Sequence, residues 1–233
     1  MSYFYHLLGN NTPPEPIPSD LEMWLDASKL GNLNGDRVRL WTDASGKGRN
    51  GDTGMISAAN PMFADTAANG LPALRFQGGN SYSILNFDVS IPEAELFVVM
   101  KTDLDPPADE LNAGFWTFSE ASQASVVPWV DGIIYDSFGS TVRKTTVDPA
   151  DSMASLCIYN VTTTPGFWAN RLNNTLLFST TDNAVSFPAV PRLGDASPFR
   201  FQGHIAEIKL FSSVFSPERR DEEYLTLKTK YGL

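Results

Sequence analysis

Glu93 and Glu95 are the carboxylates whose spacing comes closest to an acid–base pair. Two residues apart on extended chain, their side chains share a face about 6–7 Å apart. Retaining hydrolysis of a glycosidic bond needs about 5–5.5 Å, and inversion needs more. The pair follows Pro92 at a strand start and has no third acid beside it. No catalytic residue is assigned, and the chain is expected not to be an enzyme. His6 and His204 stand in unrelated contexts, and neither is read as a metal ligand or triad member. Cys157 is the single cysteine and sits in the apolar run 153–159, which reads as a buried, inert thiol. A nucleophile elbow, a phosphate-cradling glycine loop and zinc-ligand spacings are all missing.

Binding chemistry is better supplied. Trp116, Trp129 and Trp168, with Asn170 and Asn173 near the last, could form an aromatic platform with amides for a sugar ring. On alternating strands one of each adjacent pair, Phe115-Trp116 or Phe167-Trp168, should point outward. Packing in a core is the competing reading. Asp43, Asn50 and Asp52 offer oxygen ligands for a hard cation such as Ca2+, although Lys47 and Arg49 break an EF-hand pattern. The plainer alternative is a turn held by Asp43. Tyr3, Phe4, Tyr5, Leu7 and Leu8 form an apolar patch suited to docking on another subunit, or to an edge strand.

The elements that position these residues follow from length and pattern. The 233 residues, 42% of them hydrophobic, can build one large core, and no internal linker appears. The formal charge of -10 and pI near 4.6 argue against a nucleic acid or an anionic membrane as partner. No run is long enough to cross a bilayer. Pro13, Pro14, Pro16 and Pro18 make residues 1–20 an arm on a stiff spacer, with the domain spanning 21–233. Short strands are expected at 22–25, 37–41, 73–76, 81–87, 95–101, 114–119, 131–136, 141–146, 153–160, 166–170, 175–179 and 204–211. Turn signals such as Asn34-Gly35, Asn69-Gly70 and Asn173-Asn174 separate them. A single helix should follow, opened by Ser216-Pro217 and stopped by Gly232, with Tyr224, Leu227, Lys228 and Tyr231 on one stripe.

Three opening segments, 21–28, 38–50 and 69–76, together with 203–208 and the terminal Lys230-Tyr-Gly-Leu, resemble concanavalin A-like, laminin-G-like jelly-roll domains. The resemblance spans residues 21–233 and implies an all-β sandwich with a short C-terminal helix. Trp24 and Trp41 should fill the space between the sheets, and Glu207, set among apolar neighbours, should need a partner such as Arg75. Members of this superfamily bind sugars or proteins, and some hydrolyse glycosides, so the fold alone decides nothing. The hydrolases carry a Glu-x-Asp-x-x-Glu type cluster that this sequence lacks.

Met1–Gly9 has neither a basic start nor a small-residue cleavage site and is read as no secretory signal. A lectin-like sandwich made without one suits a bacteriophage virion protein, as capsid decoration or tail fibre. The expected partners are other virion proteins through the arm, a host surface glycan, and further copies of the chain. The alternatives are an extracellular carbohydrate-binding module and a glycoside hydrolase of the same fold.

Overall fold

Apolar residues on both faces of one long central strand dictate the architecture. In Ala94–Thr102, Ala94, Leu96, Val98 and Met100 enter one core while Phe97 and Val99 enter another. Such a strand reads as a continuous apolar run because neither face meets water. The computed structural model describes residues 17–78, 83–85, 91–119 and 125–233. The arm residues Tyr3, Phe4, Tyr5, Leu7 and Leu8, and His6 with them, lie outside this set.

The larger sheet comprises β1 (Leu21–Asp26), β2 (Met62–Ala68), β3 (Leu71–Gln77), β4 (Ala94–Thr102), β5 (Cys157–Thr164), β6 (Phe167–Leu172), β7 (Thr175–Thr180) and β8 (Gln202–Phe211). All pairings are antiparallel in the order β7–β6–β5–β4–β8–β3–β2, and β1 joins the far half of β8. The facing sheet runs from Lys144–Thr145 through Tyr135–Asp136, Ser125–Val126, Gly114–Thr117, Arg192–Leu193, Ser83–Leu85 and Gly51–Asp52 to Leu40–Trp41. Its strands are two to four residues long. The main core lies between the sheets and holds Trp41, Trp116, Trp168, Phe115, Phe138 and Tyr159. The described residues therefore form an all-β sandwich with one C-terminal helix.

That helix, α1 (Pro217–Tyr231), covers the outer face of the larger sheet. The Ser216 side chain accepts the Arg219 amide, Pro217 opens the first turn, and Gly232 closes it at φ 64°. Leu227 and Tyr231 are buried against Phe97, Val99, Ile158 and Phe211, and Tyr224 packs at the edge. Arg220 is also buried, and its Nε donates to Glu95 at 2.7 Å. Glu95 further accepts from Asn160 Nδ2 at 2.8 Å and from Thr162 Oγ1 at 3.0 Å. The expected partner for Glu207 is wrong. Arg75 pairs with Asp103, while Glu207 accepts from Trp24 Nε1 at 2.7 Å, Tyr231 OH at 2.9 Å and Lys230. Arg75 lies opposite His204, three residues along β8 from Glu207, and thus out of reach.

The facing sheet departs most from the expected strands. Segments 37–41, 131–136 and 141–146 shrink to Leu40–Trp41, Tyr135–Asp136 and Lys144–Thr145. Of 81–87, Ser83–Leu85 is a strand and the rest falls outside the described residues. β2 was not expected, because a register shift after Ala64 breaks its alternation. Also unexpected is a small hairpin, Asp195–Ala196 with Phe199–Arg200, beside the strand Gly114–Thr117.

Candidate functional site

Those short strands and their turns build an aromatic cleft. Tyr135 and Asp136 are neighbours, so their side chains take opposite faces. Asp136 turns inward and is fully buried, whereas Tyr135 stays half-exposed on the outside. Trp129 sits in the connection between Ser125–Val126 and Tyr135–Asp136, its amide bonded to the Ile133 carbonyl at 2.9 Å. Phe199 arrives from the small hairpin and meets Trp129 edge-on, with ring centres 4.9 Å apart and planes at 74°. The guanidinium of Arg143 lies over the Tyr135 ring at 4.9 Å. Val126, Trp129, Tyr135, Arg143 and Phe199 line a cleft of about 240 Å³.

Local chemistry fixes each wall. Asp131 accepts the Ile133 amide at 2.9 Å with one oxygen and the Tyr135 hydroxyl at 2.9 Å with the other. That carboxylate pushes the phenol above its ordinary range. The hairpin can lie close only because residue 114 is glycine: a Cβ there would stand 2.4 Å from the Phe199 carbonyl carbon. Asp195, almost fully buried, clamps the hairpin by accepting from Arg200 at 2.7 Å, Arg192 at 3.0 Å and the Ser197 amide at 2.8 Å.

Trp129 is the one expected sugar-contact residue that the structure places in an aromatic cleft. Trp116 and Trp168 are fully buried, donating to Asp136 at 2.9 Å and to the Phe138 carbonyl at 3.0 Å. Asn170 is buried too, bonded to the Tyr159 hydroxyl at 3.0 Å. Asn173 supports a turn, accepting the Ile158 amide at 3.0 Å and donating to Asp151 at 3.0 Å. Burial of Trp116, Trp168 and Asn170 corrects the expectation for those three, while Asn173 stays half-buried outside the cleft. The rule that one of an adjacent pair faces outward fails at Phe115-Trp116 because the register shifts between Gly114 and Trp116, so both rings enter the core. Missing from the sequence reading were Tyr135, Arg143 and Phe199. The available signal was a pair of proline–aromatic steps, Pro128-Trp129 and Pro198-Phe199. Each peptide preceding those prolines is cis.

The expected cation ligands each serve hydrogen bonds or ion pairs of the loop itself. Asp43 accepts the amides of Trp24 and Ser45 at 2.9 Å and of Arg49 at 3.0 Å. Burial opposes ionisation there, but these donors outweigh it and hold the carboxyl below its usual range. Asn50 caps the Asp43 amide at 2.8 Å, and Asp52 faces Arg39 at 3.4 Å. Among the described residues no three His, Cys, Asp or Glu side chains gather around a common point. The geometry matches the turn alternative. Glu93 and Glu95 do not open on the cleft: Glu95 is buried under α1 and Glu93 accepts from Thr164 at 3.0 Å. Cys157 is buried against the Met100 carbonyl, and burial pushes its thiol far up.

A second cavity, about 330 Å³, lies beside α1 and includes Leu21, Trp24, Phe211, Phe215 and Arg219. Its rings are already faced by cations: Lys29 lies 4.4 Å and Lys209 5.2 Å from the Trp24 centre, and Arg219 lies 3.8 Å from that of Phe215. Stacking surface for a ligand is therefore better supplied at Trp129.

No family model and no curated protein matches the sequence. Solved structures do match the fold. Domain 4 of AbnA, a GH43 extracellular arabinanase from Geobacillus stearothermophilus determined in complex with arabinotriose, aligns with a TM-score of 0.62 at 14% identity, over 86% of this chain and 96% of that one. The botulinum neurotoxin serotype D binding domain gives 0.65 at 13%, over 89% of this chain and 51% of that one. Trypanosoma rangeli sialidase gives 0.65 at 10%, over 93% of this chain and 35% of that one. The chain thus spans about a third of the sialidase's length. At these identities the likeness shows a β-sandwich fold and nothing finer.

Proposed function

We propose that this chain is a non-enzymatic recognition module that stacks one sugar ring in the Trp129–Tyr135–Phe199 cleft. The observation carrying the reading is that three half-exposed rings and a guanidinium line one concave site, while Trp41, Trp116 and Trp168 are buried. At about 240 Å³ the cleft falls below the common 300–1,000 Å³ range of ligand sites and suits a single pyranose. The same fold in an arabinanase domain determined with arabinotriose supports the reading. A glycan array tests it. Wild-type chain should give hits that Trp129→Ala loses while keeping its melting transition, and identical patterns for the two would end the proposal.

The display setting we propose is a virion, with the module serving as capsid decoration or tail-fibre adhesin and Tyr3, Phe4, Tyr5, Leu7 and Leu8 contacting another virion protein. The apolar character of that segment in an acidic chain supports it. Chain that stays monomeric and never sediments with particles would count against this setting without touching the cleft.

A further inference from the structure

We infer that the cavity beside α1 receives residues 3–8 of a second copy of the chain, so that two copies exchange arms. This rests on the assembly reading of those residues above, and neither on sugar binding nor on the virion setting. Ile17 and Pro18 are part of the lining, so the arm departs from the cavity itself. Tyr3, Phe4, Tyr5, Leu7 and Leu8 stand nine to fourteen residues before Ile17. Between them come Pro13, Pro14 and Pro16, whose fixed φ favours extended chain over a return on itself. Extended proline-rich chain advances about 3.1 Å per residue. Such a spacer carries the apolar segment away from its own cavity and toward the same cavity of a neighbour. Exchange of an identical element is a low-cost route to a dimer, in which each copy gives one contact and receives one.

The cavity suits this occupant in shape and in charge. At about 330 Å³ it lies within the common 300–1,000 Å³ range of ligand sites. Its lining is apolar at Leu21, Phe211 and Phe215, which are buried, and at Trp24 and Ile17, which are less so. The stems of Lys209 and Arg219 add apolar surface to the walls. Both of these cations are committed: Lys209 pairs with Glu223 at 2.7 Å and Arg219 with Asp20 at 2.7 Å. Glu222, exposed on α1, and Lys29, which faces Trp24, bring the account to three carboxylates against three cations. A balanced hollow of this kind favours an uncharged apolar segment over a charged one. Residues 1–14 contain no Asp, Glu, Lys or Arg. They approach a second copy of net charge -10 without adding to its self-repulsion.

Sedimentation of the full chain over a concentration series tests the exchange. Wild type should reach twice the 25.6 kDa of one chain. Tyr3→Ser, Phe4→Ser, Tyr5→Ser, Leu7→Ser and Leu8→Ser combined should raise the dissociation constant about tenfold or more, the weight of one large buried apolar side chain. Thr226→Trp, at an exposed α1 position in the lining, should do the same by filling the cavity, with Glu222→Trp as a second filling variant. All three should keep the wild-type melting transition. Mixing the five-serine chain with Thr226→Trp should restore a weaker dimer, since the first keeps an open cavity and the second an intact arm. A mixture that stays monomeric at the highest concentration overturns exchange. Wild type that stays monomeric also overturns it, and leaves the arm to a different protein. Dimers lost in the five-serine chain but kept by both filling variants overturn the cavity as receiver and leave the assembly reading intact. Dimers that survive the serine replacements overturn both.

Discussion

The two faces that point away from the main core are built on opposite plans. Outside the larger sheet, α1 closes over a second apolar layer, and charges are matched beneath it: Glu95 with Arg220, and Glu207 with Lys230, Trp24 and Tyr231. Outside the facing sheet no α-helix lies among the described residues; turns and a small hairpin hold three rings half in water around a cleft. A face with satisfied charges and long strands carries stability. A face of two-residue strands, whose rings are held by Asp131, Asp195 and Gly114, carries shape. The difference teaches where substitutions should separate folding from binding.

The hardest blow to the first face is Arg220→Met, which strands the buried Glu95 carboxylate. Leaving one partner of a buried pair uncompensated costs about 3–5 kcal/mol. Urea unfolding should show that loss, with sugar affinity of the remaining folded chain unchanged; a loss under 1 kcal/mol, on the order of an exposed pair, would remove the contrast.

Acid comes next. His204 is held to a pKa of about 4 by burial, assisted by Arg75 and Lys101, with Asp103 as the opposing charge. Its folded pKa is depressed, so this stability is present above about 6.5 and is lost as pH falls toward 4. The full drop is about 3 kcal/mol. Asp136 acts in the reverse sense: burial raises its pKa despite the bonds from Trp116, Phe138 and Tyr159, so its share is largest below 3.8 and is lost as pH rises. Melting temperatures of His204→Gln from pH 7 to 4 should fall less than those of the wild type, and parallel curves would refute the assignment.

Gly114→Ala joins the two plans, since its Cβ would press on the Phe199 carbonyl. Overpacking of this kind costs about 1–3 kcal/mol. It should also displace one wall, so stability and sugar affinity should drop together; a loss of stability with affinity retained would show that the hairpin does not shape the cleft. Trp129→Ala is the mildest for folding, about 0.5–1.5 kcal/mol for the lost ring pair with Phe199, and the most damaging for binding. Differential scanning calorimetry beside the glycan array separates those effects, and a collapse of the fold would place Trp129 with the first face.

The strands of the larger sheet were largely legible because their burial is periodic or continuous over six to ten residues. β4 announces itself as an apolar run and β8 by its alternation of apolar with polar or small residues, and Ser216-Pro217 and Gly232 mark α1 at both ends. The cleft was legible in one residue of its five, Trp129. Two-residue strands leave no period to read, and the register shift after Gly114 sends Trp116 inward against the rule that suggested it. Trp168 and Asn170 failed for a related reason: alternation says that faces differ but not which of them the core takes.

By itself, then, the sequence determined a sandwich of antiparallel strands closed by one capped helix, since side-chain period and turn chemistry are local properties. Only the tertiary structure decided which aromatics stay at the surface. Phe199 meets Trp129 across seventy residues of chain, and the partner of Glu95 sits on a helix 125 residues away. Such meetings depend on how two sheets and a hairpin stack in space, and no window of neighbouring residues contains that information.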